Sequence, residues 1–165
     1  MTEARALPPC CCAEFGEEAV LDMSKASGDL ARRFEAVAGM QILARADPKT
    51  RWWITLRRCR SCETPWLVGQ DEVVHDFWAL KRLGAPAAAA ILNERWWPAD
   101  FDSYGRFLLR AFDAGIVARF GNADELAYYA HRLEDLSPDM HRSDKARALG
   151  VDLAEYLRLL TLPPS

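Results

Sequence analysis

The stretch TLRRCRSCETPWLV, residues 55–68, places two cysteines inside a sequence that otherwise has the composition of β-strand. Cys59 and Cys62 are separated by two residues, and β-branched, aromatic and apolar residues lie on both sides of them. Two strands joined by a tight turn would bring both sulfur atoms to one end of the pair. The stretch therefore predicts a β-hairpin that carries two metal-ligating thiolates at its turn.

A closed tetrahedral site needs two further ligands. Sulfur atoms bonded to zinc at about 2.3 Å lie roughly 3.8 Å apart, and a C-x-x-C turn meets that spacing without strain. The other cysteines form the run Cys10, Cys11 and Cys12, of which the C-x-C pair can point at one ion. The predicted structural Zn²⁺ ligands are Cys10, Cys12, Cys59 and Cys62, with Cys11 as a substitute for either neighbour.

The surroundings of the C-x-x-C favour metal ligation over two alternatives. Arg57, Arg58 and Arg60 could offset the charge of about −2 that four thiolates leave on a zinc site. A redox C-x-x-C opens a helix after a strand, whereas Pro65 and the following WLV favour a β-turn. The second alternative, buried small cysteines beside an incidental triplet, stays open.

The predicted sheet is built around this hairpin. Its three antiparallel strands are residues 51–59, 66–70 and about 73–81, and residues 41–46 are also typical of a strand. The last of the three is ambiguous, because the apolar spacing of 71–84 also fits a helix. We prefer the strand, since Val, Phe and Trp are frequent there.

The rest of the chain is predicted to be helical. Residues 1–16 resemble an irregular arm, and a short helix follows Ser27 and stops at Gly39. Beyond Gly84, apolar residues recur at helical spacing, with Pro86 placed for a first turn. Further helices are expected over 100–114, 122–136, 139–149 and 152–160. The fold class is α+β: a β-rich half over 1–84 and a helical half over 85–165, packed as one domain.

CRSCETPWLV and the later WALKRL resemble zinc-ribbon-like segments of uncharacterised bacterial proteins, some of which are found beside toxin genes. The resemblance covers about residues 8–83. The chain departs from it in its C-C-C run and in Glu63, where ribbons usually have a glycine that turns the backbone left-handed. The resemblance implies a structural zinc ion and a scaffold, and it implies no chemistry.

Composition excludes several classes. A net charge of −3 argues against a general nucleic-acid binder, which needs a basic face. We find no apolar signal region and no apolar run near the roughly 18 residues that span a bilayer, so we expect a cytoplasmic protein without a membrane partner. In a reducing compartment five cysteines favour metal binding over disulfides.

Catalytic motifs are absent from the sequence. The three histidines, His75, His131 and His141, are scattered, and no nucleophile elbow, phosphate loop, H-E-x-x-H or dinucleotide fingerprint occurs. A nucleophilic pair such as Cys11 with His75 stays open. We expect a protein that is not an enzyme.

We expect a protein that binds another protein, most specifically an immunity protein that neutralises a basic cognate toxin by occlusion. Six tryptophans fall between residues 52 and 97; core packing is their default role, and exposed ones would anchor a partner. The predicted partner-binding residues are Trp53, Asp71, Glu72, His75, Asp76, Trp96 and Trp97.

The alternative is a zinc-ribbon nucleic-acid-binding or regulatory protein. Residues 143–160, SDKARALGVDLAEYLRLL, resemble part of a helix-turn-helix with Gly150 in the turn. The second of these helices would carry Asp152 and Glu155, which would repel phosphate. Nucleic acid is therefore the less favoured partner.

Overall fold

A computed structural model describes residues 10–25 and 27–163 and shows an α+β fold. Five strands form one antiparallel sheet within this part of the chain, in the order β1-β5-β4-β3-β2. The strands are β1 Glu18–Asp22, β2 Gln41–Arg45, β3 Ile54–Arg58, β4 Pro65–Asp71 and β5 Phe77–Arg82.

In the described part of the chain, two helices precede the central strands and six follow the last strand. They are α1 Cys12–Phe15, α2 Gly28–Ala38, α3 Ala85–Glu94, α4 Ala99–Asp102, α5 Tyr104–Asp113, α6 Ala123–Leu136, α7 Arg142–Ala148 and α8 Leu153–Leu159. A short 3₁₀ turn, Met23–Lys25, follows β1. Among the described residues, no helix is both long and apolar enough to cross a bilayer.

The first face of the sheet packs against the C-terminal helices. Alternate residues such as Ile54, Leu56 and Phe77 lie in a large buried cluster together with side chains of α3 to α8. Gly69 in β4 has no room for a side chain, because an added Cβ would overlap the ring of Phe107 on α5. The absence of a side chain at this one position lets the helix approach the sheet closely.

The second face is covered by α1 and α2. Trp66 and Trp78 are buried there, and each ring meets an aromatic ring edge-on. Phe15 lies 5.7 Å from Trp66, and Phe34 lies 5.8 Å from Trp78, measured between ring centroids. This second cluster, which also contains Cys12, connects the cysteine region to the sheet.

The sequence-based prediction of a three-stranded, zinc-ribbon-like sheet is not confirmed, because the sheet has five strands. β2, over residues predicted as a strand, forms one edge, and β1 forms the other by pairing Glu18–Asp22 with β5. The sequence EAVLD has little local strand signal, and its partner lies far along the chain. Long-range pairing therefore creates an edge strand that local pattern did not predict.

The ambiguous segment forms a strand and no helix, but the strand begins at Phe77 and not at 73. The Asp71 carboxylate accepts hydrogen bonds from the backbone N–H groups of Val74, at 2.9 Å, and His75, at 2.8 Å. Asp76 has a left-handed φ of 53°. The capped turn takes these residues out of the sheet, so His75 lies in a loop and not in a strand.

Two other predicted elements change their limits. The strand expected from 51 begins at Ile54, because Trp52 and Trp53 lie in a turn. The helix expected over 100–114 is divided at Ser103, which has an extended backbone, into α4 and α5.

Candidate metal centre

Four cysteine sulfur atoms come together where the N-terminal segment meets the β3–β4 turn. They belong to Cys10, Cys12, Cys59 and Cys62, and all lie within 4.8 Å of one another. Cys10 and Cys59, which are 49 positions apart in the chain, bring their sulfur atoms to 3.9 Å. Sulfur atoms around a tetrahedral zinc ion lie about 3.8 Å apart. This set, which is the set that the spacing predicts, could hold a metal ion.

The turn between β3 and β4 positions two of the sulfur atoms. The N–H of Cys59 donates to the carbonyl of Thr64, and the N–H of Glu63 donates to the carbonyl of Cys59, each at 3.0 Å. Glu63 has a φ of 60°, so it takes the left-handed conformation that a glycine adopts in zinc ribbons. Glu63 therefore turns the backbone left-handed without a glycine.

The other two ligands lie at the start of α1. The backbone N–H of Cys12 points at the sulfur of Cys10, at 3.5 Å, so this short segment turns tightly around one sulfur atom. The indole N–H of Trp66 donates to the sulfur of Cys12 at 3.2 Å, and the hydroxyl of Thr64 lies 3.1 Å from the sulfur of Cys62. Such outer contacts orient metal ligands and stabilise negative charge on them.

Cys11 is not part of the cluster. Its sulfur is buried and accepts a hydrogen bond from the guanidinium of Arg32 at 2.9 Å, and the same guanidinium pairs with Glu14. Its two neighbours are therefore the pair whose sulfur atoms lie with those of Cys59 and Cys62. It also places Cys11 and His75 against different elements, because the Nε2 of His75 lies 2.6 Å from the carbonyl oxygen of Ala148.

The thiols of the cluster differ in acidity. Burial, and then a hydrogen bond with Cys62, raises the pKa of Cys12 well above its ordinary value. Desolvation also opposes ionisation of Cys62, but hydrogen bonds from the Thr64 side chain and backbone outweigh it and lower its pKa to about 6. A thiolate therefore forms first at the exposed end of the cluster.

The three arginines expected to balance the cluster do not bond to it. Arg57 donates to the carbonyl of Val37, Arg58 to the side chain of Gln41, and Arg60 to the carbonyl of Gly39. These acceptors lie in or next to α2 and β2. The groups that contact the sulfur atoms of the cluster are neutral N–H and O–H donors. They could not be predicted from their position next to the cysteines in the sequence.

The predicted partner-binding residues divide into two sets. Four are buried, with exposed fractions of 7% or less: Trp53, Asp71, His75 and Trp97. The indole N–H of Trp53 donates to the carbonyl of Phe101 at 2.9 Å, and the hydroxyl of Tyr104 donates to Asp71 at 2.7 Å. These four side chains have structural roles in the interior, so they do not form an exposed partner-binding surface.

The other three predicted residues reach solvent. Trp96 is 55% exposed, Glu72 is exposed, and Asp76 is partly exposed. Trp52, one of the tryptophans expected to anchor a partner if exposed, is 43% exposed; sequence reasoning missed Val73, which is 49% exposed. The Trp52-Trp53 pair was a usable signal, because two neighbouring large side chains in a turn seldom both enter one core.

Comparison with protein-family models, curated proteins and solved structures found no match to this chain. The resemblance of residues 8–83 to zinc-ribbon segments therefore stays a prediction.

Proposed function

We propose that the protein is a non-catalytic, zinc-stabilised protein that binds another protein. The observation that carries this proposal is the set of four cysteine sulfur atoms within 4.8 Å of one another. Thiolates favour Zn²⁺ among common divalent ions, and four of them complete its tetrahedral shell. No coordination position remains for a substrate, which is typical of structural zinc and not of catalytic zinc.

The exposed aromatic residues support partner binding. Trp52, Val73 and Trp96 each keep between 43% and 55% of their surface exposed. Tryptophan is among the residues that contribute most to protein interfaces. Glu72 lies next to Val73, and the chain carries a net charge of −3, so the proposed partner is basic. The most specific form of the proposal is an immunity protein that occludes a basic toxin.

Charge reversal tests this surface. The double change Glu72→Lys and Asp76→Lys should slow association with the partner by about tenfold or more at low salt, because complementary charge mainly raises the association rate. Asp71 is left unchanged because it is buried. The measurement is association kinetics with the product of a neighbouring toxin-like gene, together with protection of cells from that toxin.

A matched control is the double change Glu17→Lys and Asp139→Lys, at exposed acidic positions outside the proposed surface. Association rates that fall equally in both variants would show a net-charge effect only. A partner that binds both variants as it binds the unchanged chain would contradict the proposed surface.

Nucleic-acid binding is the competing proposal, and the structure gives it less support. The arginines of α7 and α8 are already paired: Arg142 with Glu134, Arg147 with Asp113 and Asp144, and Arg158 with Glu155. Salt-sensitive retention of DNA or RNA by the purified protein would favour this alternative.

A further inference from the structure

A cleft of about 270 Å³ opens at the end of the sheet where β3 begins and β4 ends. We call it the strand-end cleft; its lining residues are Arg45, Trp52, Trp53, Thr55, Gln70, Asp71, Glu72 and Val73. Thr55 and Gln70 form its less exposed base, whereas Arg45, Trp52 and Glu72 are exposed at its rim. The cleft lies apart from the cysteine cluster, and no residue is shared between them.

Arg57 lies beside the base of the cleft with an unusual set of partners. The residue is only 6% exposed. Its guanidinium donates to the hydroxyl of Thr55 at 3.0 Å, to the carbonyl of Val37 at 3.2 Å and to the amide oxygen of Gln70 at 3.5 Å. All three acceptors are neutral. Within residues 10–25 and 27–163 no carboxylate forms an ion pair with it, although buried charges are normally paired.

A second guanidinium lies close to the first. Arg45 stands opposite Thr55 in the β2–β3 register, and it forms no ion pair within the described part of the chain. Burial lowers the pKa of Arg57, and the positive charge of Arg45 lowers it further. Arg45 therefore lines the cleft and Arg57 lies beside it, and neither forms an ion pair within the described residues, although Asp71 and Glu72 line the same cleft.

The acidic residues of the cleft are already engaged. The carboxylate of Asp71 accepts from Tyr104 and from two backbone N–H groups. Gln70 donates to Glu72 through its amide nitrogen while its amide oxygen accepts from Arg57. Gln70 thus forms hydrogen bonds to both Glu72 and the buried cation.

We propose that the strand-end cleft binds a small aromatic monocarboxylate. Its carboxylate would pair with Arg45 above Thr55, where the charge of Arg57 also attracts it, and its ring would lie against Trp52 and Val73. The volume is just below the roughly 300–1,000 Å³ of pockets for drug-sized ligands, which suits one ring with a short acidic arm. A dianion such as a phosphate is disfavoured, because Asp71 and Glu72 line the same cleft.

The test uses the whole chain, with phenylacetate as the probe. Binding is measured by calorimetry and by changes in amide chemical shifts. We expect saturable binding at one site with a dissociation constant of about 1 mM or lower, as the size of the probe permits. Phenylacetamide is uncharged, and phenyl phosphate carries more negative charge than phenylacetate. Each should therefore bind at least about tenfold more weakly than phenylacetate.

Variants locate the site. Arg45→Gln and Trp52→Ala change exposed side chains, so the fold should persist, and each should weaken phenylacetate binding by about tenfold. Arg58→Gln is the matched control: it removes the same charge from β3 on the other face of the sheet and should leave binding unchanged. Circular dichroism would verify that every variant is folded.

Three results would overturn this site. One is the absence of saturable shifts at probe concentrations well above about 1 mM. Another is equal or tighter binding of phenylacetamide or phenyl phosphate. The third is the same loss of affinity in Arg58→Gln as in Arg45→Gln. Trp52, Glu72 and Val73 belong both to the cleft and to the proposed partner surface. Phenylacetate binding and toxin association are measured separately, so failure of one proposal is distinguishable from failure of the other.

Discussion

At the scale of single residues, adjacent cysteines take different surroundings. Cys10 and Cys12 point into the sulfur cluster, whereas Cys11 is buried against Arg32. Cys10 lies before α1 and Cys12 is its first residue, so the turn that precedes the helix, and not the helical repeat, brings these two side chains together. Spacing favoured Cys10 and Cys12 but left Cys11 as a substitute for either, and the structure places the sulfur atoms of Cys10 and Cys12 with those of Cys59 and Cys62.

Substitution of one ligand should remove the metal. Protein purified without chelator should contain about one zinc ion per chain, and Cys59→Ser should lose it because three thiolates leave the shell incomplete. Elemental analysis measures both. Cys11→Ser is the control and should keep its zinc, and stoichiometric absence of zinc from the unchanged protein would contradict the metal assignment.

Glu63 offers a separate test of the turn. Its φ of 60° is left-handed, a conformation that costs a non-glycine residue about 1–2 kcal/mol. Glu63→Gly should therefore stabilise the zinc-loaded protein by about 0.5–1 kcal/mol, after the greater entropy of glycine in the unfolded chain is subtracted. Denaturant unfolding measures the change. Glu63→Ala keeps the backbone strain and should give no such gain.

At the scale of secondary structure elements, local pattern predicted those elements whose apolar spacing is strong. β4 after the C-x-x-C and helices such as α6 fall close to their expected limits. It failed where a distant partner or a side chain decides the structure. β1 exists because β5 pairs with it, and β5 starts late because the Asp71 carboxylate caps the preceding turn.

The candidate site shows the same division between what local pattern predicts and what long-range packing decides. The C-x-x-C turn followed from local spacing, and the N-terminal run was predicted to complete the site because it holds the only other cysteines of the sequence. The burial of Trp53 and Trp97 depends on how α4 and α5 cover the first face of the sheet, and no local pattern carries that information. Exposure of a side chain is decided by tertiary packing, so the predicted surface was the least accurate part.

The contact between β4 and α5 can be tested at Gly69. Gly69→Ala should destabilise the protein by about 1–3 kcal/mol, because the added methyl overlaps the rings of Phe107 and Phe101. Thermal or denaturant unfolding measures it. Gly84→Ala, where the nearest atom is 3.7 Å from an added Cβ, should cost less than about 1 kcal/mol. Equal losses at both positions would contradict close packing at Gly69.

At the scale of the whole molecule, two buried clusters lie on opposite faces of one sheet. The cluster on the second face contains three of the five cysteines, Cys11, Cys12 and Cys59, together with Trp66. The cluster on the first face contains the C-terminal helices and no cysteine. Metal loss should therefore act unequally on the two faces.

Chelation measures this difference. A strong chelator should lower Tm by about 10 °C, since a loss of about 3 kcal/mol shifts Tm by roughly 2–4 °C per kcal/mol in a chain of this size. Hydrogen exchange should accelerate in α2 and β1 more than in α5 and α6. An unchanged Tm after demonstrated metal removal would mean that the cysteine cluster lies outside the cooperative unit.

The 49-residue separation of Cys10 and Cys59 has a consequence for the unfolded chain. A metal that bridges them closes a long loop, and this cross-link removes conformational freedom from the denatured ensemble in the way that a disulfide does. Part of the stability would then arise from restricted chain entropy, so the second face needs less apolar cover. An eleven-residue helix and a four-residue helix are enough to cover it, even with a buried guanidinium that has only neutral partners.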